Sequence, residues 1–195
     1  MKHSIEVLTE SSQAWIDAVM ADFDGFLQDH ADCERKASAM GMSLIAKYPD
    51  REFIIPDLID TALEEMEHFQ QVYQLMQKRG VRLPSKMEPD LYVQQLMNEA
   101  KGGSSESRFL IRLLLGSVIE CRGFERFKLV AENVSEPELQ RFYKELWVSE
   151  AKHGNLYVKL ALHYFDEKLV YSKLDELMQK EAKILAGLKI RAALH

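Results

Sequence analysis

The strongest constraint on this fold is how rarely the chain interrupts helical spacing. Helix breakers cluster at four places: "YPD" (48–50), "KRGV" (78–81), a segment rich in glycine, serine and proline (81–107), and "SEPE" (135–138). Between these places, apolar residues recur every three or four positions, which is the period of an α-helix and not of a strand. The sequence therefore predicts an all-α protein.

Four long helices account for most of this pattern, and a fifth helix is predicted after them. The first is expected to bend early in its course, and the second to stop at Gly80. Ser135 and Glu138 have capping-box spacing at the start of the fourth. The fifth is expected to pack outside, with a frayed basic end. The first long helix is predicted over about 12–48, and the second from a start between 50 and 56 to an end at "KRGV" (78–81). The third and fourth are predicted over about 105–133 and 135–165.

The connection between the second and third helices is unusually long. It covers 81–107, "VRLPSKMEPDLYVQQLMNEAKGGSSES", and contains two prolines, a short helical stretch and a Gly/Ser hinge. A connection of this length can cross a bundle from end to end. Four long helices with one long crossover are the outline of a ferritin-like four-helix bundle. We therefore predict a single ferritin-like domain over 1–195, large enough to bury a sizeable core.

Composition and charge limit the functional classes. The net charge of −6 argues against general nucleic-acid affinity but is compatible with a local basic patch. No window approaches the roughly 18 apolar residues of a membrane span, and the N-terminus has no apolar run typical of a signal peptide. Cys33 and Cys121 lack CxxC spacing, which fits a reducing compartment. We expect a cytoplasmic protein that does not enter a membrane.

Each long helix carries polar residues on its apolar stripe. We traced every stripe in alternating steps of three and four residues and noted which charged or imidazole side chains interrupt it. The first and third helices each place one glutamate there, and the second and fourth each place a Glu-x-x-His pair. These six residues are Glu34, Glu65, His68, Glu120, Glu150 and His153.

The stretch "EEMEH" at 64–68 shows how helical phase separates ligands from surface charges. Glu65 and His68 are three residues apart and share the inward face. Glu64 and Glu67 fall to the sides, where we expect them to be solvated. A single Glu-x-x-His pair is common by chance, and one interior glutamate can reflect a misjudged helix phase. The coincidence of six such residues on four stripes favours a functional site.

Four carboxylates and two imidazoles in one core require compensating cations. Burying a single unpaired carboxylate costs several kcal/mol. Two divalent cations balance four carboxylates, and oxygen-rich ligation with one histidine per metal favours iron or manganese over zinc or copper. We predict Glu34, Glu65 and His68 mainly at one metal and Glu120, Glu150 and His153 at the other, with Glu65 and Glu150 as bridges.

Three further core residues lie close to these positions in sequence. His30 precedes Glu34 by one helical turn, and we interpret it as a satisfied core histidine instead of a support for the metal site. Cys33 and Cys121 each adjoin a predicted ligand. Since thiolates are poor partners for a hard, oxygen-rich site, we interpret both cysteines as small buried residues.

Four strings in the chain resemble one enzyme family. They are "DHADCERKASAMGMSLIAKYPD", "EEMEHFQQVYQLMQKRGV", "IECRGFERF" and "LQRFYKELWVSEAKHGNLYVKLA". Together they are similar to tRNA 2-methylthio-N6-isopentenyladenosine hydroxylases over about 12–165. The Glu-x-x-His pairs are shared by the whole ferritin-like superfamily, whereas "CERKA", "SLIAKY" and "CRGFERF" are more selective.

The resemblance implies a non-haem di-iron monooxygenase. Its expected reaction is hydroxylation of the isopentenyl group of the modified adenosine beside the tRNA anticodon, consuming O₂ and two electrons from a redox partner. It also implies two iron ions as cofactors. All six predicted metal ligands match the ligand positions of the family.

The acidic net charge of the chain does not favour a tRNA substrate, so binding of tRNA would require a local group of cations. Basic residues flank the crossover, although the positions of Lys78 and Arg79 at a helix end explain them without RNA. Arg122 and Arg126 lie near a predicted ligand and either orient substrate or pair with Glu125. The predicted substrate-binding residues are Arg82, Lys86, Lys101, Arg108 and Arg122.

Two other functions remain open from the sequence. An iron-storage or metal-binding bundle would use the same ligands without catalysis. A di-iron or dimanganese oxidase acting on a small apolar metabolite would need no RNA. The absence of CxxC disfavours a rubrerythrin-type peroxidase, and the long crossover and fifth helix favour a substrate-handling enzyme over a simple ferritin.

Overall fold

The computed structural model describes residues 6–99, 101 and 103–195. Within these residues the chain forms α-helices and no strand, which confirms the all-α prediction. Gly102 of the predicted Gly/Ser hinge lies outside the described residues. The helices are α1 (Gln13–Ala21), α2 (Phe23–Lys47), α3 (Ile55–Arg79), α4 (Leu91–Asn98), α5 (Ser105–Asn133), α6 (Pro137–Tyr164) and α7 (Glu167–Gly187).

The first predicted helix is divided in two at Asp22. Asp22 leaves the helical region, with φ −137° and ψ 64°, and its side chain accepts a hydrogen bond from Gly25 N at 3.0 Å. An aspartate in this position satisfies one of the backbone N–H groups that a helix start leaves without an intrahelical partner. The expected early bend is therefore a full break, with α2 starting afresh at Phe23.

The boundaries of α3 and α5 agree with the predictions. Pro56 lies in the first turn of α3, where its missing N–H has no cost, and Gly80 ends the helix with φ +71°, a conformation that favours glycine. The predicted bounds of α5 match its observed bounds. Ser104 caps it by accepting a hydrogen bond from Ser107 N at 3.1 Å.

Two predictions about helix ends are wrong. The capping box of Ser135 and Glu138 does not form, because α6 starts one residue later with Glu136 as its N-cap and no side-chain cap hydrogen bond. The expected frayed end after α7 is instead held in place. Ala193 is buried and its carbonyl accepts a hydrogen bond from Trp15 Nε1 at 3.0 Å.

The chain divides into two compact units. The α2–α3 unit contains 14–89 and 190–194, and the α4–α7 unit contains the chain up to residue 13 together with 90–189 and residue 195.

Within the α2–α3 unit, the two long helices approach closely at Gly41. A Cβ atom at Gly41 would lie 3.2 Å from the carbonyl oxygen of Leu58 and 3.4 Å from Ala62 Cβ. Ser38 Oγ reinforces the contact by donating a hydrogen bond to Ala62 O at 2.8 Å. The small residues thus let the α2 and α3 backbones approach each other within this unit.

Within the α4–α7 unit, α5 packs against α6 while α7 packs against α4 and α5. Gly116 on α5 lies against the ring of Tyr157 on α6, and a Cβ atom there would be 3.0 Å from ring carbons. Ser117 Oγ donates a hydrogen bond to Gly154 O at 2.8 Å. This pair of helices is therefore matched by small residues in the same way as α2 and α3.

Candidate metal centre

The α2–α3 unit contains a buried group of two carboxylates and one imidazole. Glu34 comes from α2, and Glu65 and His68 come from α3; all three side chains are buried. His68 Nδ1 lies 3.6 Å from Glu65 Oε2 and 3.8 Å from Glu34 Oε2. One potential ligand atom from each residue lies within 4.8 Å of the others. These separations are small enough for one ion to contact all three.

Helical phase places these side chains as the sequence predicts. Glu65 is 1 % exposed, whereas Glu64 and Glu67, on either side of the inward face, are exposed. The prediction that Glu64 and Glu67 are solvated is confirmed. The three-residue spacing between Glu65 and His68 brings both to one face of α3.

The α4–α7 unit contains a second group of the same composition. Glu120 comes from α5, and Glu150 and His153 come from α6; all three are buried. His153 Nδ1 lies 3.1 Å from Glu150 Oε2. One potential ligand atom from each residue lies within 4.8 Å of the others.

The donor set of each group fits a divalent cation. Two ionised carboxylates supply a charge of −2, which one such ion neutralises, and buried carboxylates without a compensating charge are strongly destabilising. Carboxylate oxygens with one imidazole suit iron or manganese better than soft-ligand metals. The structure brings all six sequence-predicted residues into these two buried groups, three in each. Their role as metal ligands stays a prediction.

Glu34 has a neighbour whose importance the sequence did not reveal. His30 Nε2 lies 2.6 Å from Glu34 Oε1, and His30 is completely buried. The four-residue spacing along α2 makes this contact possible. From sequence, however, the same spacing equally fits a histidine packed in the core with no link to the metal site.

Cys121 is buried beside Glu120 in sequence. Burial raises the pKa of the Cys121 thiol to about 12, so the thiol stays protonated at neutral pH. A protonated thiol is a poor metal ligand. This agrees with its interpretation as a small buried residue.

Arg122, one of the predicted substrate-binding residues, lies inside the α4–α7 unit, and its role in substrate binding stays a prediction. Arg122 is fully buried, and its Nε donates a hydrogen bond to Glu181 Oε1 at 2.8 Å. Its Nη1 donates to Glu125 Oε2 at 2.9 Å, and its Nη2 to Thr9 O at 2.8 Å. All three guanidinium nitrogens therefore bond within the protein, and the alternative of pairing with Glu125 is confirmed.

The other predicted substrate-binding residues remain at the surface or close to it. Arg82, Lys86 and Lys101 are exposed. Arg108 is half-buried, and its Nη1 donates a hydrogen bond to Gly103 O at 2.6 Å. Their side chains are accessible enough to meet a charged partner, and contact with RNA stays a prediction.

A second group of cations was overlooked in the sequence. It lies on the outward face of α6, where residues at helical spacing are all exposed. The periodicity of the polar residues along the fourth predicted helix would have revealed it. Its members are Arg141, Lys144, Lys152 and Lys159.

Across the part of the chain that the structure describes, none of the helices has the length and apolar character needed to cross a membrane.

Fold and site together define the class of protein. Two of the long helices carry one buried glutamate each and the other two carry Glu-x-x-His, which is the pattern of ferritin-like carboxylate proteins. The chain is similar to a solved structure described as "Protein 43 with aldehyde deformylating oxygenase activity from Synechococcus", with a TM-score of 0.91 and 31% identity over 98% of this chain and 96% of that one. This likeness confirms the ferritin-like bundle with a long crossover and an added C-terminal helix.

The particular family follows from the sequence match. A family model described as tRNA-(MS[2]IO[6]A)-hydroxylase (MiaE) matches residues 1–195, and the chain belongs to this family. The resemblance stated from the four sequence strings is thereby confirmed.

Two relatives of the chain carry the same name, tRNA 2-(methylsulfanyl)-N(6)-isopentenyladenosine(37) hydroxylase. The protein from Pseudomonas putida KT2440 is 39% identical over 154 residues, which cover 79% of this chain and 74% of that protein. The protein from Salmonella typhimurium LT2 is 36% identical over 99 residues, which cover 50% of this chain and 35% of that protein.

Proposed function

We propose that this protein is an O₂-dependent tRNA hydroxylase. Its substrate is 2-methylthio-N6-isopentenyladenosine next to the anticodon, and the reaction places a hydroxyl group on the isopentenyl chain. One oxygen atom enters the product and the other leaves as water, so each turnover takes two electrons and two protons from a redox partner. The match of the family model to residues 1–195 carries the proposal.

The metal centre of this enzyme consists of two irons held by both buried groups. Glu34, Glu65 and His68 would mainly hold one iron, and Glu120, Glu150 and His153 would mainly hold the other, with Glu65 and Glu150 able to contribute to both. Four carboxylates balance two divalent ions, which supports this ligand set. When bound, the irons supply the oxygen activation that protein side chains cannot provide.

The protein contributes position and protection from water. The six ligand side chains are between 1 % and 7 % exposed, so the centre is kept away from bulk solvent. Burial strengthens the electrostatic interactions of the carboxylates and limits side reactions with water. The three-residue spacing within each Glu-x-x-His pair keeps the glutamate and the histidine on the same inward face of their helix.

We further propose that the chain acts as one domain and binds tRNA through surface cations. Both compact units belong to one ferritin-like domain over 1–195, and the protein works in the cytoplasm with its tRNA. Cations of the crossover and its flanks contact the phosphate backbone near the anticodon loop, which fixes the RNA in place without reading its sequence. These residues are Arg82, Lys86, Lys101 and Arg108.

Nucleoside analysis tests the proposed reaction directly. Reduced, iron-loaded protein is incubated with O₂ and tRNA that carries the unhydroxylated nucleoside, and the tRNA is then digested and analysed by mass spectrometry. The expected product is heavier by one oxygen atom, and isotopically labelled O₂ should supply that atom. Unchanged nucleosides with a fully iron-loaded protein would refute the activity. A Glu65→Ala variant is the inactive control, and Glu64→Ala, on the same turn, is the active one.

A second candidate is an oxygenase that acts on a small apolar substrate without RNA. The 31% identity to the Synechococcus protein, whose description names aldehyde deformylating oxygenase activity, favours this alternative. The same iron-loaded protein would then consume O₂ with an aldehyde and leave tRNA unmodified. A storage protein would instead bind many irons per chain, so measuring iron per chain separates storage from both enzymes.

A further inference from the structure

We propose that His30 is a positioning residue that orients Glu34 for metal binding. The inference rests on the proposed di-iron centre and adds a residue to it. His30 and Glu34 lie one turn apart on α2, and His30 Nε2 is 2.6 Å from Glu34 Oε1. Both side chains are buried. The His30 ring lies 5.9 Å from that of Phe26, one turn further back, so it packs in the core on that side.

The chemistry of the pair sets the direction of this hydrogen bond. A carboxylate that binds a metal is ionised and can only accept hydrogen bonds, so His30 Nε2 must carry the proton. A neutral imidazole protonated at Nε2 is sufficient. Hydrogen bonds to an ionised carboxylate are short and stronger than those between neutral groups. The 2.6 Å distance agrees with such a bond.

The hydrogen bond also selects the oxygen that faces the metal group. It engages Glu34 Oε1, whereas Glu34 Oε2 is the oxygen that lies 3.8 Å from His68 Nδ1. One oxygen is therefore held by α2 itself, and the other is directed toward the ligands of α3. Residues that hold a metal-binding carboxylate in this way commonly change metal affinity by about 10–100-fold when replaced.

The second buried group differs at the position that matches His30. The residue four positions before Glu120 is Gly116, which has no side chain. The ring of Tyr157 fills the adjacent space, 3.0 Å from where a Cβ atom would stand. That position of α5 thus cannot offer a side-chain donor to Glu120. We infer that the iron bound by Glu34, Glu65 and His68 depends on His30, while the other iron does not.

Iron binding by His30 variants of the full chain tests the proposal. His30→Leu removes the hydrogen-bond donor and fills its place in the core with an apolar side chain. His30→Gln keeps an N–H donor of similar reach. In competition with a chelator, the affinity for one of the two irons should fall about 10–100-fold in His30→Leu. That affinity should be largely restored in His30→Gln. The same change at the exposed His163, His163→Leu, should leave both irons unchanged. A folded His30→Leu protein that binds both irons as wild type does would overturn the proposal.

A measurement on the wild-type protein covers the case in which His30→Leu does not fold. In protein with ¹⁵N-labelled histidine, loaded with diamagnetic zinc, NMR should show a proton on His30 Nε2. An unprotonated Nε2 would overturn the proposal, because the imidazole would then accept instead of donate. These results separate two failures. Wild-type protein that cannot bind two irons refutes the di-iron centre itself, whereas normal binding with an insensitive His30 refutes only this inference.

Discussion

The α2/α3 pair and the α5/α6 pair contain the same predicted metal ligands at the same spacing, but the residues beside these ligands differ. In each pair, one helix gives a single glutamate and the other gives Glu-x-x-His. His30 lies four residues before Glu34, and its Nε2 is 2.6 Å from Glu34 Oε1. The residue four positions before Glu120 is Gly116. Helical spacing alone indicates which glutamates and histidines face inward. The support of each ligand depends on its neighbours, so near-identical ligand groups need not be equivalent sites.

The same two pairs differ in surface charge. Residues 55–77 of α3 contain no lysine or arginine and three exposed carboxylates, Asp60, Glu64 and Glu67, whereas the outward face of α6 has four exposed cations. The net charge of −6 is therefore an average over segregated surfaces. A negative total does not exclude a local surface that attracts phosphate groups.

Loss of a bridging carboxylate should have the largest effect on either pair. Glu65→Ala removes a ligand of the α2–α3 group that we also expect to bridge both irons, so two-iron binding and tRNA hydroxylation should fall below detection. Glu150→Ala in the other pair should do the same. Iron per chain and nucleoside mass spectrometry measure the two effects. Glu64→Ala, at an exposed neighbouring position, should bind two irons, and retention of both irons by Glu65→Ala would contradict the ligand assignment.

Breaking the buried ion pair of the α4–α7 unit should have the next largest effect. Arg122→Met leaves Glu181 without its cation in a fully buried position, which should lower the free energy of unfolding by about 3–5 kcal/mol. Urea unfolding of the iron-free protein measures this change. Adding Glu181→Gln removes the orphaned charge and keeps an acceptor for Tyr92 Oη, 3.1 Å away, so the double variant should recover most of the loss.

The same double variant tests whether Arg122 has a role in substrate binding. All its guanidinium nitrogens bond within the protein, so tRNA affinity should equal that of the wild type once stability is recovered. A large drop in affinity with unchanged iron content would instead show that Arg122 takes part in substrate binding.

The burial of the six candidate ligands and the positions of the long helices could be predicted because both depend on local periodicity. A helix repeats every 3.6 residues, so the position of Glu65 relative to Leu58 and Val72 already places it inward. The break at Asp22 was missed because Val19, Phe23 and Phe26 keep helical spacing across it. The non-helical backbone angles of Asp22 and its capping hydrogen bond distinguish a break from a bend.

Contacts between distant parts of the chain were beyond the reach of sequence reasoning. Arg122 and Glu181 are 59 residues apart, and Trp15 and Ala193 are 178 apart. No periodicity links such positions. Arg122 therefore looked like a residue near the site, and the chain end looked free. The contact of His30 with Glu34 is only partly predictable. The sequence shows their four-residue spacing but not the direction of the His30 side chain.

A moderate effect is expected from filling the small-residue contact of the α5/α6 pair. In Gly116→Ala, the new Cβ would lie 3.0 Å from the Tyr157 ring, and overpacking of this kind costs about 1–3 kcal/mol. The matched control is Gly123→Ala on the same helix, where a Cβ meets nothing within 4 Å. Alanine there should stabilise by about 0.5–1 kcal/mol through helix propensity.

Thermal unfolding of both glycine variants measures this difference. Gly41→Ala extends the test to the other pair, where the Cβ would lie 3.2 Å from a backbone carbonyl, that of Leu58. A backbone atom cannot rotate away as a side chain can, so Gly41→Ala should cost at least as much as Gly116→Ala. Equal stability of the Gly116 and Gly123 variants would show that the Tyr157 ring moves aside without an energetic cost.

The smallest effects should come from replacing surface cations. These variants test which region of the protein binds tRNA. Arg82→Gln with Lys86→Gln removes two exposed cations of the crossover. If both neutralise phosphates, tRNA binds more weakly and the slope of log affinity against log salt falls by about 0.7–0.9 for each phosphate that is no longer neutralised. The matched variant Lys144→Gln with Lys159→Gln changes α6 by the same charge. Filter binding of tRNA at several salt concentrations should show weaker binding only for the crossover variant, and the reverse result would move the tRNA interface to the outward face of α6.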